Sequence, residues 1–229
     1  MTVATDLRLD INDDLGRVSA LLLRPANAWL LYVLAHGAGA GMRHRFLESV
    51  VLALARRGVA TLRYQFPYME AGRKRPDSPA AAEATVAAAV SQASTLVPEL
   101  PIVAGGKSFG GRMTSGAAAR GLLPQLRGLV FLGFPLHPPG RPGTDRADHL
   151  DRVRAPMLFL QGTRDEFAQL DLITQVCRRL EPRATLYLIE GGNHSFVIPK
   201  RSGDMLHSVE DRLADTMASW ARARLTVHV

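Results

Sequence analysis

The sequence predicts an α/β fold whose central sheet is mostly parallel and whose helices cover both faces. Short apolar runs alternate with longer stretches of helical pattern, as repeated βα units require. No Pro/Gly/Ser-rich linker and no change of composition divides the 229 residues, so one domain over 1–229 is expected. Ligands of such a sheet bind at the carboxyl ends of its strands.

The first two strands differ from the rest. Residues 3–11 and 17–23 alternate around the polar turn 12–14, which predicts an antiparallel hairpin at the sheet edge. The later strand runs are more continuously apolar, as buried strands are. They cover 29–35, 59–64, 100–104, 129–133, 156–161 and 184–190. Helical stretches are predicted over 43–57, 80–97, 109–120, 168–180 and 204–222.

The connection over residues 134–153 is too short for a separate cap domain. Its prolines predict a small, stiffened lid, and no larger lid is expected. His137 and His149 within it are expected at the surface rather than as ligands.

The pentapeptide Gly-Lys-Ser-Phe-Gly centres on Ser108, directly after a strand run and directly before a helical stretch. A serine hydroxyl becomes a useful nucleophile when a base and an oxyanion site converge on it, and a sharp strand-to-helix turn exposes it for that purpose. Side chains at Gly106 and Gly110 would collide at such a turn. Ser108 is therefore the candidate nucleophile.

An acid and then a histidine follow at the ends of two later strands. Asp165 comes after the strand run 156–161, and His194 comes after the run 184–190. The chain order Ser, Asp, His is the order that a nucleophile elbow requires. Glu166 is an alternative acid, although neighbouring residues in a tight turn point in different directions.

The segment His-Gly-Ala-Gly over residues 36–39 ends the first strand after the hairpin and is the candidate oxyanion loop. Backbone N–H groups there would meet the charge that develops on a carbonyl oxygen during attack. The N–H groups of Ala38 and Phe109 are the predicted donors. His36 is expected to shape the loop rather than to take part in chemistry.

Together these segments resemble the α/β-hydrolase superfamily across nearly the whole chain. The heptapeptide Gly-Lys-Ser-Phe-Gly-Gly-Arg at 106–112 and His-Ser-Phe at 194–196 are similar to a small dienelactone-hydrolase-like group. That group is related to a testis-expressed protein and to a subunit of the NSL histone-acetyltransferase complex. True dienelactone hydrolases carry a cysteine nucleophile where this chain has Ser108, so the resemblance implies fold and machinery rather than a substrate.

Composition excludes several other classes. The formal charge of +7 comes almost entirely from scattered arginines, and no nucleic-acid-binding motif accompanies them, so no nucleic acid partner is expected. No apolar run reaches membrane-spanning length and the amino terminus is charged, which predicts a cytoplasmic protein without a membrane partner. The single cysteine, Cys177, is expected to pack inside the protein. Neither a metal site nor an organic cofactor is indicated.

Two other classes of protein share part of this pattern. Gly106-Lys107-Ser108 imitates the end of a phosphate-binding P-loop, but Pro101 stands where that motif needs its first glycine. A catalytically silent hydrolase fold that serves as an interaction module is the remaining alternative, since a fold alone does not establish chemistry.

The sequence therefore predicts a serine hydrolase that cleaves an ester or related acyl bond of a small molecule through Ser108, Asp165 and His194. Arg73, Lys74 and Arg75 lie in a loop at the end of a strand and are candidate contacts for an anionic substrate. The acyl group, the leaving group and the oligomeric state stay open.

Overall fold

A mixed sheet of eight strands runs through the computed structural model, which describes residues 3–199 and 208–225. Its strands are β1 (Thr5–Asn12), β2 (Gly16–Leu23), β3 (Leu30–Ala35), β4 (Val59–Tyr64), β5 (Ile102–Lys107), β6 (Leu126–Leu132), β7 (Met157–Gly162) and β8 (Ala184–Ile189). They lie side by side in the order β1-β2-β4-β3-β5-β6-β7-β8. The β1–β2 and β2–β4 pairs are antiparallel and the other pairs are parallel. This is the α/β-hydrolase arrangement, with the predicted hairpin at one edge.

Helices cover both faces of the sheet. They are α1 (Arg45–Ala55), α2 (Pro67–Glu70), α3 (Pro79–Leu96), α4 (Phe109–Ala119), α5 (Leu170–Arg179) and α6 (Val209–Leu225), with a 3₁₀ helix at Asp145–Arg152. Because successive strand side chains point to opposite faces, Tyr32 and Leu34 pack with α1 and α6, whereas Leu31 and Val33 pack with α3 and α4. Among the described residues, no helix is long and apolar enough to cross a bilayer.

Most predicted elements are present with shifted ends. The strand expected to stop at Ala104 continues to Lys107, because its last residues still pair with β6. The short helix α2 lies in a segment that the sequence indicated as loop. The first residues predicted for the last helix, 204–207, lie outside the described part of the chain.

The predicted lid segment, residues 134–153, folds against the body of the protein. Leu136, Ala147 and Leu150 belong to the apolar core that α5 also enters. The expectation of a surface position is wrong for His137, whose residue is only 3% exposed and whose Nε2 accepts a hydrogen bond from Gln169 N–H at 3.2 Å. His149 is half-buried, and its Nε2 lies 2.7 Å from Ser115 Oγ.

Candidate active site

Ser108 lies at the sharp turn between β5 and α4 in a backbone conformation that side chains rarely adopt, with φ 51° and ψ −115°. The turn depends on the glycines around it. A Cβ on Gly106 would stand 2.4 Å from Ala35 O, and one on Gly110 would stand 2.6 Å from His36 O. As the sequence predicts, a side chain at either position would collide with the backbone of the neighbouring strand end. This explains why the turn needs glycine at both positions.

The three predicted catalytic side chains lie in contact. His194 Nε2 is 2.9 Å from Ser108 Oγ, and His194 Nδ1 is 2.9 Å and 2.8 Å from the two carboxylate oxygens of Asp165. Since an ionised carboxylate only accepts hydrogen bonds, this arrangement places the imidazole proton on Nδ1 and leaves Nε2 free to accept from the serine hydroxyl. Residues that are far apart in sequence thus form one continuous hydrogen-bonded chain.

The carboxylate that contacts His194 is that of Asp165 and not that of its neighbour Glu166. The Asp165 side chain is fully buried, whereas Glu166 is exposed and has no recorded bond to His194. Phe167 N–H donates to Asp165 Oδ1 at 2.8 Å, and Gln161 Nε2 donates to Asp165 Oδ2 at 2.5 Å. These two donors hold the carboxylate in place, as groups that position a triad acid do.

The two backbone N–H groups predicted as oxyanion donors belong to different parts of the fold. Ala38 belongs to the turn after β3 and lines the cavity beside Ser108, and Phe109 is the first residue of α4, where the helix dipole is positive. Within the described residues, neither N–H group donates a hydrogen bond to the protein. Both groups are therefore free to meet an oxygen atom at the serine.

The buried ring of His36 fixes the turn after β3. Phe66 N–H donates to His36 Nε2 at 3.1 Å, so the proton of the neutral ring lies on Nδ1, which bonds to Gly37 O at 2.8 Å. Burial lowers the pKa of His36 to about 4, outweighing the bond to Gly37, which raises it. A neutral, fully buried histidine with both nitrogens engaged fits the predicted role in shaping the loop.

A cavity of about 310 Å³ opens beside Ser108. Its walls come from the turn after β3, the first turn of α1, the elbow and the two loops that carry Phe167 and His194. Phe46, Leu47 and Phe167 make much of the wall apolar, and Ser108 and His194 provide polar groups at one side. This combination of apolar walls and few polar groups is typical of small-molecule sites.

Lys107 contributes a buried amine that the sequence did not predict. Its stem lines the cavity, whereas its Nζ is buried and has no hydrogen-bond partner among the described residues. Nζ, His194 Nδ1 and His194 O all lie within 3.5 Å of the point that a Cβ on Gly133 would occupy. Burial lowers the pKa of this amine to about 8, although the charges of Asp165 and Glu166 raise it.

The other predicted residues do not meet at the cavity. Arg73 is paired with Asp77, with Nη2 2.9 Å from Oδ1, and Lys74 and Arg75 are exposed on the same loop. None of the three lines the cavity, so a contact with substrate would require a molecule that extends beyond it. The proposed lid, residues 134–153, does not line it either.

Sequence reasoning missed Gln161 and the first turn of α1. The sequence does contain a signal for Gln161, because it is the one polar residue in the apolar run 157–161 of β7. The sequence contains no such signal for Phe46, because a helical pattern does not indicate which strand end the first turn of the helix will contact. No group of three or more His, Cys, Asp or Glu side chains among the described residues is arranged to hold a metal ion.

A family model described as an alpha/beta hydrolase domain matches residues 28–222. The fold is similar to that of a dienelactone hydrolase from Anabaena variabilis, with a TM-score of 0.77, 18% identity and coverage of 98% of this chain and 99% of that chain. It is also similar to a serine hydrolase without lid from Xanthomonas campestris, with a TM-score of 0.74, 19% identity and coverage of 100% and 98%. Est1E from Butyrivibrio proteoclasticus, in a structure with bound ferulic acid, gives a TM-score of 0.73 at 18% identity and coverage of 96% and 100%.

Proposed function

The chain belongs to the α/β-hydrolase domain family, and on that premise we propose that it is a serine hydrolase that cleaves an ester or related acyl bond. The observation that carries the proposal is the hydrogen-bonded chain from Ser108 Oγ through His194 to Asp165. In this protein the hydrogen-bonded series of side chains ends at a cavity. A catalytically silent interaction module has no physical need for such an arrangement. The narrower kinship with the dienelactone-hydrolase-like group stays a prediction.

In the proposed first half-reaction, Ser108 Oγ attacks the acyl carbonyl while His194 Nε2 takes the hydroxyl proton. Asp165 holds the imidazole in the tautomer that can accept this proton and stabilises the imidazolium that forms. The N–H groups of Ala38 and Phe109 receive the negative oxygen of the tetrahedral intermediate. His194 then gives its proton to the leaving group, and an acyl-enzyme remains.

In the second half-reaction, water replaces the leaving group. His194 Nε2 takes a proton from that water, the hydroxide attacks the acyl carbon, and the same two N–H groups receive the oxygen charge. Return of the proton to Ser108 Oγ releases the acid. Every proposed step uses side chains, backbone N–H groups and water.

The size and polarity of the cavity favour a small substrate. A volume of about 310 Å³ lies at the lower end of the usual range for small-molecule sites and accommodates a compact acyl group against Phe46 and Phe167. The structurally similar Est1E holds ferulic acid, an aromatic acid. Small aromatic and short aliphatic esters are therefore the first substrates to examine, followed by thioesters, lactones and amides.

The deciding experiment is labelling with a fluorophosphonate probe, which an activated serine attacks as it would attack a carbonyl. Wild-type protein should be labelled at Ser108 and should hydrolyse small esters. Ser108→Ala should abolish both, whereas the control Ser91→Ala, an exposed serine on α3, should leave both unchanged. If folded wild-type protein neither labels nor cleaves any member of the ester panel, the interaction module replaces the hydrolase.

A further inference from the structure

A second cleft, of about 370 Å³, lies between the start of α3, the outer side of α4 and the 3₁₀ helix. It shares no lining residue with the cavity beside Ser108. The proposed hydrolysis makes no use of it. We call it the arginine cleft, after Arg112, Arg120, Arg146 and Arg152, which all line it.

The positive charges of the arginine cleft are poorly compensated. Arg120 is paired with Glu83, with Nε 2.9 Å from Oε2. In the described part of the chain, Arg112, Arg146 and Arg152 have no ion pair and no side-chain hydrogen bond. The lining offers one further carboxylate, Asp145, which is exposed.

The arrangement is electrostatically unfavourable in the absence of an anion. The guanidinium of Arg112 is partly buried, and burial together with the charge of Arg146 lowers its pKa. Burial, together with the charges of Arg152 and Arg112, lowers the pKa of His149 to about 4, although the charge of Asp148 raises it, and the ring is therefore neutral. Cations that repel one another inside a concave surface create a strong positive potential there.

A guanidinium binds oxyanions through two parallel N–H···O bonds, and several guanidiniums around one cleft favour a ligand with more than one charge. A phosphate group fits this description better than a carboxylate, because it carries up to two charges and has three or four oxygens that accept hydrogen bonds. We propose that the arginine cleft binds a phosphate group, either as inorganic phosphate or as the phosphate of a small monoester.

The nucleophile and this cleft are built on the same helix. Arg112 lies one turn after Ser108 in α4, and Arg112 N–H donates to Ser108 O at 3.1 Å. The cleft is nevertheless a separate site, so its occupancy can be measured without any substrate. The result therefore does not depend on the proposed hydrolysis.

The experiment is titration calorimetry of the full chain with inorganic phosphate and, in separate titrations, with glycerol phosphate and with the dicarboxylate malonate, at constant ionic strength. Three proteins are compared: the wild type, the double variant Arg112→Gln/Arg146→Gln, and the control Arg127→Gln/Arg178→Gln. The control loses the same two charges from exposed positions outside the cleft. Circular dichroism and thermal unfolding without phosphate verify that each variant is folded.

Wild type and control should bind phosphate with similar Kd, and the cleft variant should bind at least about tenfold more weakly. Tighter binding of the monoester than of the free anion would assign the cleft to a phosphorylated small molecule, and the reverse would assign it to inorganic phosphate. No measurable binding to the wild type, equal weakening in both variants, or equally tight binding of malonate would overturn the proposal. A single substitution, Arg146→Gln, keeps the test valid if the double variant fails to fold.

Discussion

Gln161 and Asp165, four residues apart where β7 ends, are joined by a 2.5 Å hydrogen bond from the glutamine amide to Oδ2 of the carboxylate. The other end of the amide, Gln161 Oε1, accepts from Phe134 N–H at 2.9 Å. Gln161 is fully buried, so these bonds have no competition from water. The glutamine thereby links the loop after β6 to the carboxylate that contacts His194.

Gln161→Leu should lower kcat/KM for a small ester by about tenfold or more, because Asp165 loses a donor that fixes its position. The substitution also leaves Phe134 N–H unpaired in the core, which should cost about 1–3 kcal/mol of unfolding free energy. Ester kinetics and urea unfolding measure the two effects. Gln175→Leu, an exposed change on α5, serves as control, and equal kinetics for the two variants would contradict a positioning role for Gln161.

Asp165→Asn should preserve the fold and lower turnover by roughly 10⁴, because the amide favours the wrong tautomer of His194. Glu166→Gln should change turnover far less, since that side chain is exposed. Steady-state kinetics on one ester with both variants make the comparison. If the ranking were reversed, Glu166 rather than Asp165 would be the acid.

The sequence predicts the backbone of the site better than its walls. The elbow glycines, the turn after β3 and the order of Ser108, Asp165 and His194 follow from local rules, because each depends on one strand end and the turn behind it. The mostly parallel order of the sheet then brings these ends to one edge. These parts were predictable because the information lies within a few residues of each group.

The remaining features depend on contacts between distant segments. His137 appeared to be a surface residue, and its burial results from the packing of residues 134–153 against α5. Lys107 is the last residue of β5 and precedes the candidate nucleophile, but only the packed structure shows its amine beside Gly133 and Phe196. The arginine cleft likewise draws its charges from α4 and from a 3₁₀ helix that the sequence did not predict.

The loop with Arg73, Lys74 and Arg75 gives a prediction about substrate charge. Replacing all three with Gln should lower kcat/KM for an anionic ester and spare a neutral ester of similar size, and added salt should reduce the preference of the wild type. Because Arg73 is paired with Asp77, the variant Lys74→Gln/Arg75→Gln is the control that keeps the ion pair. Equal effects on both esters would assign the loop to the solvated surface.

Lys107 gives a prediction about stability and pH. In the unfolded chain its amine has its ordinary pKa of 10.5, and burial lowers that pKa to about 8 in the folded protein. Below pH 8 both states carry the charge, and the folded state bears the cost of burying it without a hydrogen-bond partner. Between pH 8 and 10.5 the unfolded chain binds the proton and the folded chain does not, so the free energy of unfolding rises with pH.

Lys107→Met keeps most of the stem and removes the charge, so at pH 7 it should stabilise the protein by roughly 1–3 kcal/mol. The advantage over the wild type should shrink as the pH rises from 8 towards 10.5, because the wild-type amine loses its charge in the folded state over that range. Urea unfolding at pH 7, 9 and 10.5 measures the difference, with the exposed Lys74→Met as control. A variant that is less stable than the wild type by the same amount at every pH would mean that the Lys107 amine is held by favourable contacts rather than buried at a cost.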